Sequence, residues 1–235
     1  MLKAQDRVVM ISGANRGIGK AIAKRLANDG YKLSLGVRDT SSVDKTSLPE
    51  STGVFAYDAA DAASANAWVN STLADCGRID AIVMNAGVLH PVGFGEKDET
   101  NLDQMWDINF KGPLRLINAA LPLLKQCGHG RVVNIVSLSG KRVLGGSNLG
   151  YCASKYAALS LTHAIRQEGW ADGLRATAIC PGLVDTDMVA HVDAPAGEFK
   201  ITPEAIAAST AYALSLPNDA TVAEILVNSR LETVW

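Results

Sequence analysis

Cysteine is scarce in this chain: Cys76, Cys127, Cys152 and Cys180 are the only four in 235 residues. No pair has Cys-x-x-Cys spacing, so the pattern offers neither a metal knuckle nor a disulfide framework. Reduced thiols in a cytoplasm are the expectation. Excess charge of either sign is missing too. The 22 Lys and Arg against 24 Asp and Glu leave a net charge of −2, which gives no electrostatic footprint for nucleic acid or an anionic membrane. The longest apolar stretches fall far short of the ~20 residues that span a bilayer. The opening Met1-Leu-Lys-Ala-Gln-Asp-Arg7 has no signal-like apolar region. Neither nucleic acid nor membrane is an expected partner.

What remains is a chain long enough for one α/β domain with a large core, taken as 1–235. Apolar runs alternate with amphipathic ones, without repeat or linker. Strands are expected near 7–12, 32–37, 53–57, 79–84, 131–137, 174–180 and 222–228. Helices are expected near 17–29, 61–76, 101–127 (adjusted around Pro113 and Pro122), 151–171 and 203–215. This alternation implies a parallel sheet with helices on both faces. Right-handed crossovers then give a doubly wound, Rossmann-like sandwich of seven strands in the order 3-2-1-4-5-6-7. Residues 183–202, with Pro195 and Gly197, are polar and small enough to form a lid over the sheet end.

Four local patterns carry chemistry. Ser12-Gly-Ala-Asn-Arg-Gly-Ile-Gly19 follows the apolar run 8–11 and opens an Ala-rich helix. Glycines let the backbone turn tightly against a pyrophosphate, and the helix N-terminus supplies amide donors. A lone glycine motif often marks only a loop, but here strand and helix flank it as the motif requires. Asn85-Ala-Gly87 and Ser137 each stand at the end of an apolar strand, where ligands of such sheets bind; a Ser there also suits a plain turn. Tyr151 and Lys155 lie four apart, on one helix face. A free Tyr titrates near ~10, and a neighbouring cation favours its phenolate. Alone, that spacing more often marks a solvated helix face.

Together these patterns resemble the short-chain dehydrogenases/reductases, in their compact single-domain branch, over essentially the whole chain. The glycine motif matches with Ser12 in place of Thr, and the Asn-Ala-Gly motif matches Asn85, Ala86 and Gly87. The resemblance implies a catalytic set of Asn109, Ser137, Tyr151 and Lys155. Ser139 competes with Ser137, but alignment on Asn134, Ile135 and Gly140 favours Ser137. Pro181, Gly182 and Thr186 match the segment after the sixth strand. The implied cofactor contacts are Ser12, Gly13, Asn15, Arg16, Gly17, Ile18 and Gly19 in the turn and Arg38 after the second strand. Asp58 and Ala59 follow after the third strand, then Asn85, Ala86 and Gly87, Tyr151 and Lys155, and Pro181, Gly182, Val184 and Thr186. No metal is implied.

The resemblance further implies a nicotinamide cofactor and a carbonyl or alcohol substrate. At the end of the second strand, where an NAD-specific member places a carboxylate, stand Val37 and Arg38. An arginine fork suits a 2′-phosphate. With Arg16 as a second basic residue, NADP(H) is preferred and NAD(H) remains possible. Asp39 is the conflicting residue, as an acidic site in another register or a brace for Arg38. Tyr151 is expected to transfer a proton to or from the substrate oxygen. Ser137 stabilises that oxygen, Lys155 binds the nicotinamide ribose and lowers the Tyr151 pKa, and Asn109 holds a relay water. Pocket walls are expected from 90–95, 141–148 and the lid, with Lys141, Arg142, His90 and His191 as candidate contacts. The ending 214–227 resembles that of NADP-dependent 3-hydroxy-acid dehydrogenases. The alternative is a catalytically weak NADPH-binding sensor. Family members are commonly dimers or tetramers, so a homodimer or homotetramer is expected.

Overall fold

Runs such as Val8-Val-Met-Ile-Ser12 are apolar throughout, so a strand made of them must be covered on both faces. The computed structural model describes residues 1–95, 97–194 and 199–231, and there this requirement is met. Seven strands, β1 Val8–Ser12, β2 Lys32–Val37, β3 Gly53–Ala56, β4 Ala81–Met84, β5 Arg131–Ile135, β6 Arg175–Pro181 and β7 Glu224–Val227, form one sheet in the order β3-β2-β1-β4-β5-β6-β7. Every ladder is parallel. The α-helices are α1 Gly17–Asn28, α2 Ser64–Cys76, α3 Thr100–Trp106, α4 Gly112–Gln126, α5 Leu149–Gly169 and α6 Pro203–Ser215. Pro195, Gly197 and Trp235 lie outside the described residues.

Successive side chains of a strand point to opposite faces, and β1 shows the result. Val9 and Ile11 pack with Ile22 and Leu26 of α1 and Ile206 and Leu214 of α6. Met10 packs on the other side with Trp68 of α2, Leu116 of α4 and Ile165 of α5. Gly36 makes room for Trp68, whose ring a Cβ would strike at 2.6 Å. The Trp68 indole N–H then donates to Ser34 Oγ at 2.9 Å.

The expected single helix over 101–127 is in fact α3 and α4 joined by a π turn, Asp107–Lys111. Pro113 supplies the reason. It has no N–H to donate to the Asn109 carbonyl four residues back. The ladder widens locally, and the Gly112 N–H reaches the Asp107 carbonyl. Such turns recur at functional sites.

At the amino ends of the strands Arg131 acts as a latch. It is 2% exposed. Its guanidinium donates to Leu216 O at 2.7 and 3.1 Å, to Gly130 O and Gly173 O, and to Asn218 Oδ1 at 2.9 Å. The chain leaving α6 is thereby fastened to the base of the sheet. Among the described residues no helix is long and apolar enough to cross a membrane.

Candidate active site

A cavity of about 870 Å³ opens over the carboxyl ends of the strands. It lies where the strand order reverses beside β1, the position at which open α/β sheets bind ligands. Of the expected site residues, Gly13, Asn15, Arg16, Gly17, Ile18, Arg38, Asp58, Ala59 and Asn85 to Gly87 line it. So do Ser137, Tyr151, Lys155, Pro181, Gly182, Val184 and Thr186.

Three expected contacts stand behind the wall instead: Ser12, Gly19 and Asn109. Ser12 Oγ accepts from the amides of Asn85 at 2.9 Å and Ala86 at 3.0 Å. The Asn85 amide group returns bonds to Ser12 O and Gly13 O. The hydroxyl therefore welds the two motifs together and is spent in doing so. Gly13 has φ +66°, and at Gly19 a Cβ would collide with the Gly13 carbonyl. Both positions need glycine to close the turn. The donors of this turn and the N-terminus of α1 face the cavity, which suits a diphosphate group.

The Asn109 side chain is bound on both its oxygen and its nitrogen. Its Oδ1 accepts from Val88 N, and its Nδ2 donates to Val88 O and to Ser154 Oγ, all within 3.0 Å. Both donors of its amide are thereby spent, and one acceptor position on Oδ1 remains. The Asp58 carboxylate accepts from Ala60 N at 3.0 Å, forming a turn, while the residue also lines the cavity. Asp39 caps the short turn after β2, accepting from Ser41 N and Ser41 Oγ. Among the described residues Arg38 has no carboxylate partner, so Asp39 does not brace it. Arg16 pairs with Asp187 at 3.6 Å, both well exposed.

Ser137, Tyr151 and Lys155 converge on one wall. The Ser137 hydroxyl lies close enough to the Tyr151 phenol to lower its pKa, and Ser139 N donates to Ser137 Oγ at 3.0 Å. Ser139 turns instead to Cys152. Lys155 Nζ donates to Ile135 O at 3.0 Å and lies 5.8 Å from the Tyr151 ring centre. Burial pushes the Tyr151 phenol up to about 12, with the Ser137 hydrogen bond opposing it. Burial pulls the Lys155 ammonium down to about 8. At Tyr151 burial dominates, and Ser137 rather than Lys155 is the group that lowers the phenol pKa.

The short chain dehydrogenase family model matches residues 7–196. The chain belongs to that family. It is 40% identical over 221 residues, 93% of its length, to agropine synthesis reductase of Rhizobium rhizogenes, and spans about half (51%) of that protein. It is 33% identical to an uncharacterized oxidoreductase of Staphylococcus saprophyticus, with 97% of both chains covered. An alcohol dehydrogenase from the archaeon Thermococcus sibiricus, solved with 5-hydroxy-NADP, superposes with a TM-score of 0.86 at 32% identity, covering 96% of this chain and 99% of that one.

In this chain the lid has a pinned base. Val184 and Ile201 form a parallel bridge, with Ile201 N donating to Leu183 O and Asp185 N to Ile201 O. Met188, Val192 and Phe199 of the lid, with Leu144 opposite, expose apolar surface at the cavity mouth. Arg142 also lines the cavity, but Lys141 does not; it pairs with Glu224 at 2.7 Å. His90 bonds Gln104, and neither His90 nor His191 is part of the wall. Sequence reasoning missed Asn228, Ser229 and Arg230, which line the cavity from beyond β7; no local pattern marks them.

Among the described residues one group with metal-ligand chemistry occurs, at the opposite sheet end: Asp80, Cys127 and His129, with ligand atoms within 4.8 Å. Asp80 is already held by Arg78 at 2.6 and 2.8 Å and by Val8 N at 2.9 Å. Burial pushes the Cys127 thiol up, and Arg7, Arg78 and Arg131 surround His129. This cationic setting opposes a metal ion, whose ligands must shed protons.

Proposed function

We propose that this chain is an NADP(H)-dependent oxidoreductase that interconverts a small carbonyl compound and its alcohol. The observation that carries this reading is the meeting of Ser137, Tyr151 and Lys155 on one wall of a cavity whose other end holds Arg16 and Arg38. The cavity fits a dinucleotide: glycine-permitted backbone at one end, a phosphate-compatible helix N-terminus, and Arg38 with no carboxylate partner among the described residues where a 2′-phosphate would lie. Arginine at that place favours NADP(H), while the rest of the cradle accepts NAD(H) equally.

When bound, the nicotinamide supplies or takes up the hydride. The chain's own groups manage the proton. Tyr151 Oη, kept protonated by burial, gives its proton to the carbonyl oxygen in reduction and receives it in oxidation. Ser137 Oγ steadies the same oxygen as charge develops. Lys155, near pKa 8, passes protons on at ordinary pH. Asn109 takes part through its backbone carbonyl, which Pro113 leaves without its i+4 donor. The apolar mouth of Leu144, Met188, Val192 and Phe199 favours a substrate with an apolar body. The exposed Leu226 on the edge strand β7 and Tyr212 on α6 suit pairing with a second copy, as a homodimer or homotetramer.

The test is nicotinamide consumption with a panel of aldehydes, ketones and 3-oxo acids. Tyr151→Phe should abolish turnover and leave cofactor binding intact. Arg38→Ala should weaken NADPH binding by about 1–3 kcal/mol and hardly affect NADH. Turnover surviving in Tyr151→Phe would refute the assignment. Cofactor binding without turnover on any substrate would favour the sensor.

A further inference from the structure

Lys141, His163 and Glu224 come from three separate elements and meet around one carboxylate. Lys141 closes the 3-10 turn that Ser137 opens: Gly140 N–H donates to Ser137 O and Lys141 N–H to Leu138 O, both at 2.9 Å. The Lys141 ammonium meets one Glu224 oxygen at 2.7 Å, and the other lies 3.0 Å from His163 Nε2. Glu224 opens β7, and His163 sits on α5, the helix that carries Tyr151 and Lys155.

We propose that this Lys141–Glu224–His163 cluster is a positioning device that holds the Ser137 turn at a fixed offset from helix α5. The proposal rests on reading Ser137 and Tyr151 as the reacting pair. None of the three residues lines the cavity, so none touches substrate, and they act only through what they hold. Leu138 is buried, and a Cβ on Gly140 would stand 2.8 Å from the Lys155 carbonyl. Those contacts set how near the turn comes to the helix. The Glu224 carboxylate adds a tether at the far end of the turn, because its two oxygens are bound to Lys141 on the turn and His163 on α5. Burial pushes the Glu224 carboxyl up, but Lys141 and then His163 outweigh it and hold it below its ordinary value, so the carboxylate remains charged.

Magnitudes place the effect in rate rather than stability. The side chains of Lys141, Glu224 and His163 are 27%, 20% and 43% exposed, and an ion pair so near water adds little to folding. A hydroxyl misplaced by ~1 Å costs on the order of a hundredfold in rate.

The experiment measures kcat, KM, NADPH Kd and melting temperature for Lys141→Met, Glu224→Gln and Lys141→Arg, with Tyr151→Phe in parallel. Lys141→Met and Glu224→Gln should each lower kcat roughly 5- to 50-fold, with NADPH Kd and melting temperature essentially unmoved. The double variant should lose no more than either single one. Lys141→Arg, which keeps a cation towards Glu224, should restore most of kcat. Near-isosteric Glu224→Gln guards against a folding failure in the methionine variant. Wild-type kcat in both single variants, with Tyr151→Phe inactive, would refute the positioning role alone. A loss confined to KM, to cofactor affinity or to melting temperature would overturn it equally. Turnover retained by Tyr151→Phe would remove the reading on which it rests.

Discussion

Lys155 Nζ donates to the Ile135 carbonyl at 3.0 Å and lies 5.8 Å from the centre of the Tyr151 ring. One buried pocket thus holds a cation and a phenol whose pKa values move in opposite directions, to about 8 and about 12. Between about 8 and the ordinary lysine value of 10.5, the unfolded chain carries a proton that the folded chain has shed. Stability should therefore rise with pH across that window, by at most about 3 kcal/mol. The contribution of Tyr151 has the other sign. It is fully present below the ordinary 10.0 and is lost as pH climbs through about 12, again at most about 3 kcal/mol. Urea unfolding of the protein alone from pH 7 to 11.5 should show the rise and then the fall. Lys155→Met should flatten the first, and Tyr151→Phe the second.

Ser12 should behave as a structural hydroxyl. Removing it strands the amides of Asn85 and Ala86, which it now accepts from. Ser12→Ala should cost about 1–3 kcal/mol and weaken cofactor binding secondarily, because the two motifs it joins would drift apart. Ser12→Thr keeps the acceptor and should stay near wild type. Denaturant midpoints and NADPH titrations on the two variants separate these outcomes.

Arg131 predicts a purely structural loss. Its guanidinium satisfies carbonyls on three loops at the sheet end remote from the cavity. Arg131→Met should destabilise by about 3 kcal/mol or more through the carbonyls left unpaired. Arg131→Lys should recover little of that, since an ammonium cannot reproduce the fork. Turnover of the folded fraction should be unchanged in both. Guanidinium unfolding followed by circular dichroism, with kcat per folded molecule, measures each.

What the amino-acid order made legible was what it encodes locally. The strand–glycine turn–helix at 8–28, the buried β-branched strands and the Tyr151–Lys155 helix face all lie within a few residues of their own signals. They appear in the fold with their boundaries shifted by at most two residues; β4 and β5 are two residues shorter than expected and β7 three. The π turn was half legible: Pro113 is visible, but its effect falls on Asn109, four residues earlier. The true duties of Ser12 and Asn109 were hidden because their partners, Asn85 and Val88, are brought near only by folding. The same holds for Lys141, His163 and Glu224, and for Arg131, which in the sequence resembles an ordinary surface charge ahead of a strand. Long-range pairing of polar groups leaves no period to read.

The cavity wall runs from Gly13 to Arg230, nearly from one end of the described chain to the other. That span has a consequence in time. A growing chain has its glycine turn early, yet the far wall, with Asn228 beyond β7, is made last. Until β7 docks on β6 the wall lacks Asn228, Ser229 and Arg230, and Glu224 is not yet there to tie Lys141 to α5. The complete cavity therefore belongs to the completed sheet, and a chain without β7 holds the motifs without the whole wall.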